Sequence, residues 1–199
     1  GLVIIAVLAP ILGALADQGG LKKRFLGWFL ALGLVSVLLM FFIERGDWLL
    51  ASVLFILANI GVNGSFVFYD AFLPHIANEE EMDRVSTAGY ALGYVGGGIL
   101  LALNLAWIQK PEWFGLPSGD LLSPTQATLP TRLAFVSVAL WWLLFAIPFF
   151  RQVREPPPRS GAARTVSIRA AFSELGATFR ALGRYREALL MLVAFLIYN

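Results

Sequence analysis

Cysteine is absent from the sequence, and histidine occurs once, as His75. Disulfides, thiolate metal sites and cysteine nucleophiles are therefore excluded, and so is a multi-histidine metal centre. Charge is scarce as well. Asp, Glu, Lys and Arg make up 14% of the residues, against about 25% in an ordinary soluble domain. No GxxxxGK[ST] phosphate loop occurs, which argues against an ATP-driven pump in this stretch. The net charge of +2 is too small to suggest a nucleic-acid partner. No residue pattern calls for a cofactor or a metal.

Apolar residues are what the chain has in excess. They form 58% of its 199 positions, with 16 Phe and 6 Trp, and the mean hydropathy is +0.74. Charge-free runs cover 1–16, 25–43, 48–69, 85–109, 133–150 and 188–199. A run of about 18 such residues is long enough to cross a bilayer as a helix. Four of the six runs reach that length, and the two short ones lie at the chain ends. A soluble globule and a disordered chain are both excluded. Lipid leaves backbone groups no partner outside the segment, so only helices or closed barrels can span it. The alternating segments of about ten residues that a barrel requires do not occur. The expected fold class is therefore all-α, a polytopic bundle with spans at about 1–16, 25–43, 48–73, 87–108 and 133–150, and a further span starting near 188.

Basic residues orient these spans. Loops on alternate sides of the membrane hold twelve Lys and Arg on one side and three on the other. The richer side is cytoplasmic by the positive-inside rule. It carries Lys22, Lys23, Arg24 and Arg84, then a basic linker over 151–187 that opens RQVREPPPRSG. Within the linker Ile168, Ala171, Phe172, Leu175, Phe179 and Leu182 recur at helical spacing. They predict an amphipathic helix, lying on the membrane surface or packed on helix ends of the same protein. Gln109–Thr131, with four prolines, reads as an external loop. The first residue, Gly1, lies inside an apolar run with no basic n-region, so that run is not a signal peptide. The expectation is a piece of a longer polytopic chain.

Between the first two spans stands Gly13-Ala-Leu-Ala-Asp17-Gln-Gly-Gly20-Leu-Lys22-Lys23-Arg24. Glycines permit a tight turn there, and the carboxylate can face a helix N-terminus. The segment resembles the G-x-x-x-D-x-x-G-basic loop between helices 2 and 3 of the major facilitator superfamily. Phe68-Tyr69-Asp70-Ala71-Phe72-Leu73-Pro74 and Gly89-Tyr-Ala-Leu-Gly93-Tyr-Val-Gly96-Gly97-Gly98 are similar to the branch related to the vacuolar amino-acid effluxers of autophagy, which has bacterial members. The resemblance implies the N-terminal half of a twelve-helix carrier without helix 1. The spans would be helices 2 to 6, the linker would join the two halves, and 188–199 would begin helix 7. It further implies a secondary transporter in a bacterial cytoplasmic membrane, with amino acids as a candidate substrate class and the second half of the same chain as a partner. The coupling ion, substrate and direction stay open. Gln18 and Leu21 depart from the basic residues common in that loop, Asp70 stands where Asn is expected, and the third span lacks an Arg.

Candidate site residues follow from these segments. Asn59, Asn63, Phe66 and Asp70 fall within about 60° of arc on one helix, and amides or carboxylates facing lipid are costly. Asn59 sits near mid-span, where carriers bind solute, so Asn59 and Asn63 are the expected substrate contacts. Asp17, Lys22, Lys23, Asp70 and Arg84 are expected to form a cytoplasmic gating charge network. Gly89, Gly93, Gly96 and Gly97 are expected to form a close helix–helix seam. Two other classes compete: a non-transporting receptor or channel of the same fold, and an intramembrane enzyme. The enzyme is the weaker rival, because Asn63-Gly64-Ser65 lies inside a span and His75, the only imidazole, lies ten residues beyond it.

Overall fold

The computed structural model of the protein describes residues 2–78, 80–119 and 121–155, with single positions between 173 and 194. The amphipathic stripe at 168–182, most of the linker beyond Glu155 and the expected span at 188–199 lie outside the described residues. Among the described residues every regular element is helical: α1 (Leu2–Gly19), α2 (Lys22–Leu39, prolonged by a 3₁₀ turn over Met40–Phe42), α3 (Trp48–Asp70), the short α4 (Leu73–Ile76), α5 (Met82–Gln109) and α6 (Pro124–Gln152). Four of them, counting α3 and α4 together, are long and apolar enough to cross a membrane.

The α1–α2 turn shows why its glycines are needed. Gly20 adopts φ 60°, and the Leu21 amide reaches back to the Ala16 carbonyl at 3.0 Å. That i to i+5 bond over a left-handed glycine caps the C-terminus of α1 and lets α2 begin at once. The last long helix starts earlier than its charge-free run. Ser123 accepts a hydrogen bond from the Gln126 amide while the Gln126 side chain accepts one from the Ser123 amide. This capping box, with Pro124 at the first helical position, nucleates α6. Residues 124–131, expected in the external loop, are therefore helical. Ser123→Ala should remove one cap bond and cost about 1 kcal/mol, measured as a small drop in the detergent melting temperature.

Packing is centred on α2. It crosses α3 closely and also meets α6, while α1 rests on α3 and α5 rests on α6. Gly33 and Gly61 face each other where α2 crosses α3. A Cβ on Gly61 would lie 2.5 Å from the Gly33 Cα and 2.8 Å from the Phe29 carbonyl oxygen. Trp142 of α6 covers the same point, 2.6 Å from where a Gly33 Cβ would stand. Contact of this kind, backbone against backbone, replaces the hydrophobic drive that is missing in lipid. On the basic side of the crossing, Phe68 stacks between Phe25 (5.3 Å) and Phe29 (5.8 Å), and Phe72 meets Phe149 edge-on at 5.1 Å. On the other side Val37, Met40, Leu54, Ala58 and Ala139 form a second apolar cluster.

α5 stands apart. It buries only Asn104, whose Oδ1 accepts a 2.8 Å hydrogen bond from the Ser137 hydroxyl of α6. The expected glycine seam is not on this helix within the described bundle. A Cβ on Gly89, Gly93 or Gly97 would meet nothing within 4 Å, and one on Gly96 only the Trp141 indole at 3.9 Å. The close seam lies on α2 and α3 instead, where single glycines oppose each other across the crossing.

Candidate functional site

Two groups of polar residues gather toward the end of the bundle that holds Lys22, Lys23, Arg24, Arg84, Arg151 and Arg154. The first is a charged cluster on the α1–α2 turn. Lys22 Nζ lies 2.8 Å from Asp17 Oδ1, and both side chains are mostly shielded, at 13% and 24% exposure. The same ammonium lies 3.3 Å from His75 Nε2 on α4. An ammonium can only donate, so Nε2 is the acceptor in this contact. Next to it, the Lys23 amide donates to Glu155 Oε2 at 2.8 Å, and Lys23 Nζ donates to the Val153 carbonyl at 2.6 Å. The Glu155 carboxylate thus sits on the first turn of α2, where the helix dipole favours an anion. Its other oxygen, Oε1, is buried and accepts no hydrogen bond among the described residues. One hairpin turn therefore ties α1, α2, α4 and the end of α6.

The second group lies between α3 and α5. They leave a cleft of about 770 Å³ with α6 as its floor and α4 at its basic end. Asp70 lines it, with Tyr90 of α5 beside its carboxylate. Phe66 lines it too, so the basic half of the α3 stripe faces this space. Asn59 and Asn63 lie further along α3 and are not part of the lining. The Asn59 amide donates to the Phe55 carbonyl at 3.0 Å, and the Asn63 amide to the Asn59 carbonyl at 2.8 Å. Both amides are thereby held against their own helix, and neither Oδ1 accepts a hydrogen bond among the described residues.

The structure brings together only part of the expected charge network. Asp17, Lys22 and Lys23 cluster on one turn. Asp70 makes no described hydrogen bond or ion pair to Lys22 or Lys23; the polar group beside it is Tyr90. Arg84 is exposed in the first turn of α5, without a described ion pair. Residues that sequence reasoning passed over are His75 as an acceptor for Lys22, Glu155 as an anchor on α2, and the cleft tyrosines. The spacing Tyr90, Tyr94 was a usable signal for the last, since residues four apart share a helix face.

Long apolar helices with basic residues concentrated at one end define an integral, multi-pass membrane protein of the all-α bundle type. Comparison with known proteins narrows the class: residues 1–199 match the family described as vacuole effluxer Atg22 like, and the chain belongs to that family. It is 34% identical over 195 residues to the uncharacterized MFS-type transporter YxiO of Bacillus subtilis, covering 98% of this chain and 44% of that protein. It is 25% identical over 244 residues to autophagy-related protein 22 of Coccidioides immitis, covering 98% of this chain and 40% of that protein. The chain thus spans less than half the length of these relatives, and its fold is that of a piece of a major-facilitator-type helical bundle. No solved structure gives a significant match.

Proposed function

We propose that this chain is the N-terminal portion of a secondary active carrier that moves a small polar solute by alternating access, with amino acids as the leading substrate class. The observation that carries the proposal is the polar face of α3, on a helix of a chain whose family is named for effluxers. Asn59 stands at mid-helix with Asn63 one turn on, each held by its own backbone and each keeping a carbonyl oxygen available. Such a pre-oriented acceptor pair suits an ammonium or hydroxyl of a polar solute. Two bundles rocking about a midplane site would expose that pair to each side in turn. In this reading the Asp17–Lys22 pair on the α1–α2 turn holds one of the two states.

The test is flux of labelled amino acids into liposomes containing the full-length protein. Saturable uptake or release is expected. Asn59→Leu and Asn63→Leu should each raise KM about fivefold to tenfold, the effect of losing one hydrogen bond of about 1 kcal/mol, with normal membrane insertion. Absence of saturable flux for any solute would overturn the carrier reading. Loss of protein from the membrane with unchanged KM in the remainder would make the asparagines structural.

A further inference from the structure

The cleft between α3 and α5 has a chemistry of its own. Asp70 is its one ionisable carboxylate, and no Lys, Arg or His lines it. The negative charge therefore has no cationic partner in the cleft, only the Tyr90 hydroxyl. Asp70 is also the last residue of α3, where the helix dipole adds further negative potential. Around it stand the rings of Phe66, Tyr69, Tyr90, Tyr94 and Phe149. Tyr69 packs on Phe149 at 5.5 Å, and Phe149 packs in turn on Phe72 and Phe150, so the floor is held by the aromatic cluster behind it. Opposite, Gly89 and Gly93 line the cleft with nothing within 4 Å of a Cβ. Their small size keeps the space between the rings open, and about 770 Å³ is within the range of small-molecule sites.

We propose that this cleft binds the ammonium group of an organic amine with an apolar or aromatic body, Asp70 taking the charge and the tyrosine and phenylalanine rings caging it. Ring faces attract cations through their quadrupoles, and a carboxylate adds a charge-assisted hydrogen bond to an N–H donor. An anion has no favourable contact in the same space. A neutral body of equal shape would gain only the apolar contacts. Neither Asn59 nor Asn63 lines this cleft, so the site is separate from the solute contacts proposed above, and the inference goes beyond the carrier reading without resting on it.

Equilibrium binding to the full-length protein in neutral detergent tests it apart from flux. The probes are phenethylammonium, its neutral isostere 2-phenylethanol and the anion 3-phenylpropionate, titrated calorimetrically. Phenethylammonium should bind at least tenfold more tightly than 2-phenylethanol, and 3-phenylpropionate should not bind. Asp70→Asn should abolish the preference for the amine. Gly93→Leu should fill the cleft and block the amine and the alcohol alike, and Leu92→Ala, on α5 outside the lining, should leave amine binding within twofold. Equal binding of the three probes in the unaltered protein would overturn the proposal without any variant. So would a retained preference in Asp70→Asn, or no binding of any probe because another segment of the full chain fills the cleft. Binding as expected with no saturable flux would sink the carrier reading and leave the site standing. Flux without amine binding would do the reverse.

Discussion

Gly61→Leu will prevent the full-length protein from accumulating in the membrane, and Gly61→Ala will already lower its melting temperature in detergent by several degrees. The reason is the kind of atom that the new carbon meets. A Cβ at this position falls on the Gly33 Cα and the Phe29 carbonyl, which belong to the backbone of α2 and cannot rotate aside. The helices must separate, and the separation would also pull Trp142 off the crossing and loosen α6. Overpacking of this sort costs about 1–3 kcal/mol for a modest excess and more when the backbone must move. Gly93→Ala is the control. It adds the same methyl group to another membrane-spanning helix, with nothing within 4 Å, and the better helix propensity of alanine should leave stability unchanged or slightly raised. If Gly61→Ala melts at the same temperature as the parent while Gly93→Ala destabilises, the close crossing is on α5 after all.

This contrast shows which part of the molecule could be read in advance. The membrane helices were legible because lipid imposes a length and a ban on charge, and both are properties of one segment taken alone. Pairings between segments were not. Helical arithmetic correctly groups Gly89, Gly93, Gly96 and Gly97 on one side of α5, but it carries no information about what stands opposite. Gly33 and Gly61 belong to different helices and form no repeat, so the close contact between α2 and α3 had no local pattern. Asp70 followed the same course: its place on the α3 face came from spacing, while its neighbour, Tyr90, depends on how far α5 splays from α3. The start of α6 was hidden for another reason. Pro124 and Pro130 look like loop residues, yet proline at the first helical position is favoured, and the Ser123–Gln126 capping box was there to be found.

Under the proposed carrier function, Asp17→Asn will slow flux through the full-length protein about tenfold or more, with KM altered little and insertion normal. The lock that it breaks, the Asp17–Lys22 pair, is shielded, and the Lys22 ammonium would keep only the His75 ring nitrogen as a described partner. Removing one member of a shielded pair is costly mainly because the other charge is left behind. The state held by the lock should therefore lose population relative to the state without it, which alters the rate of interconversion and not the solute contacts on α3. Lys22→Gln should give the same phenotype. In the double variant the two effects should fail to add, the signature of residues acting through one interaction. The population itself can be followed. The chain has no native cysteine, so Tyr94→Cys, at the cleft, can be labelled by a membrane-impermeant maleimide applied from the basic side, in a full-length protein freed of cysteines elsewhere. Asp17→Asn should change the labelling rate severalfold, and a paired exchange, Asp17→Lys with Lys22→Asp, should bring it part of the way back. Unchanged flux and unchanged labelling in Asp17→Asn would show that the ion pair merely ends a helix. Changed labelling with unchanged flux would mean that the lock biases the cleft while some other step limits the rate.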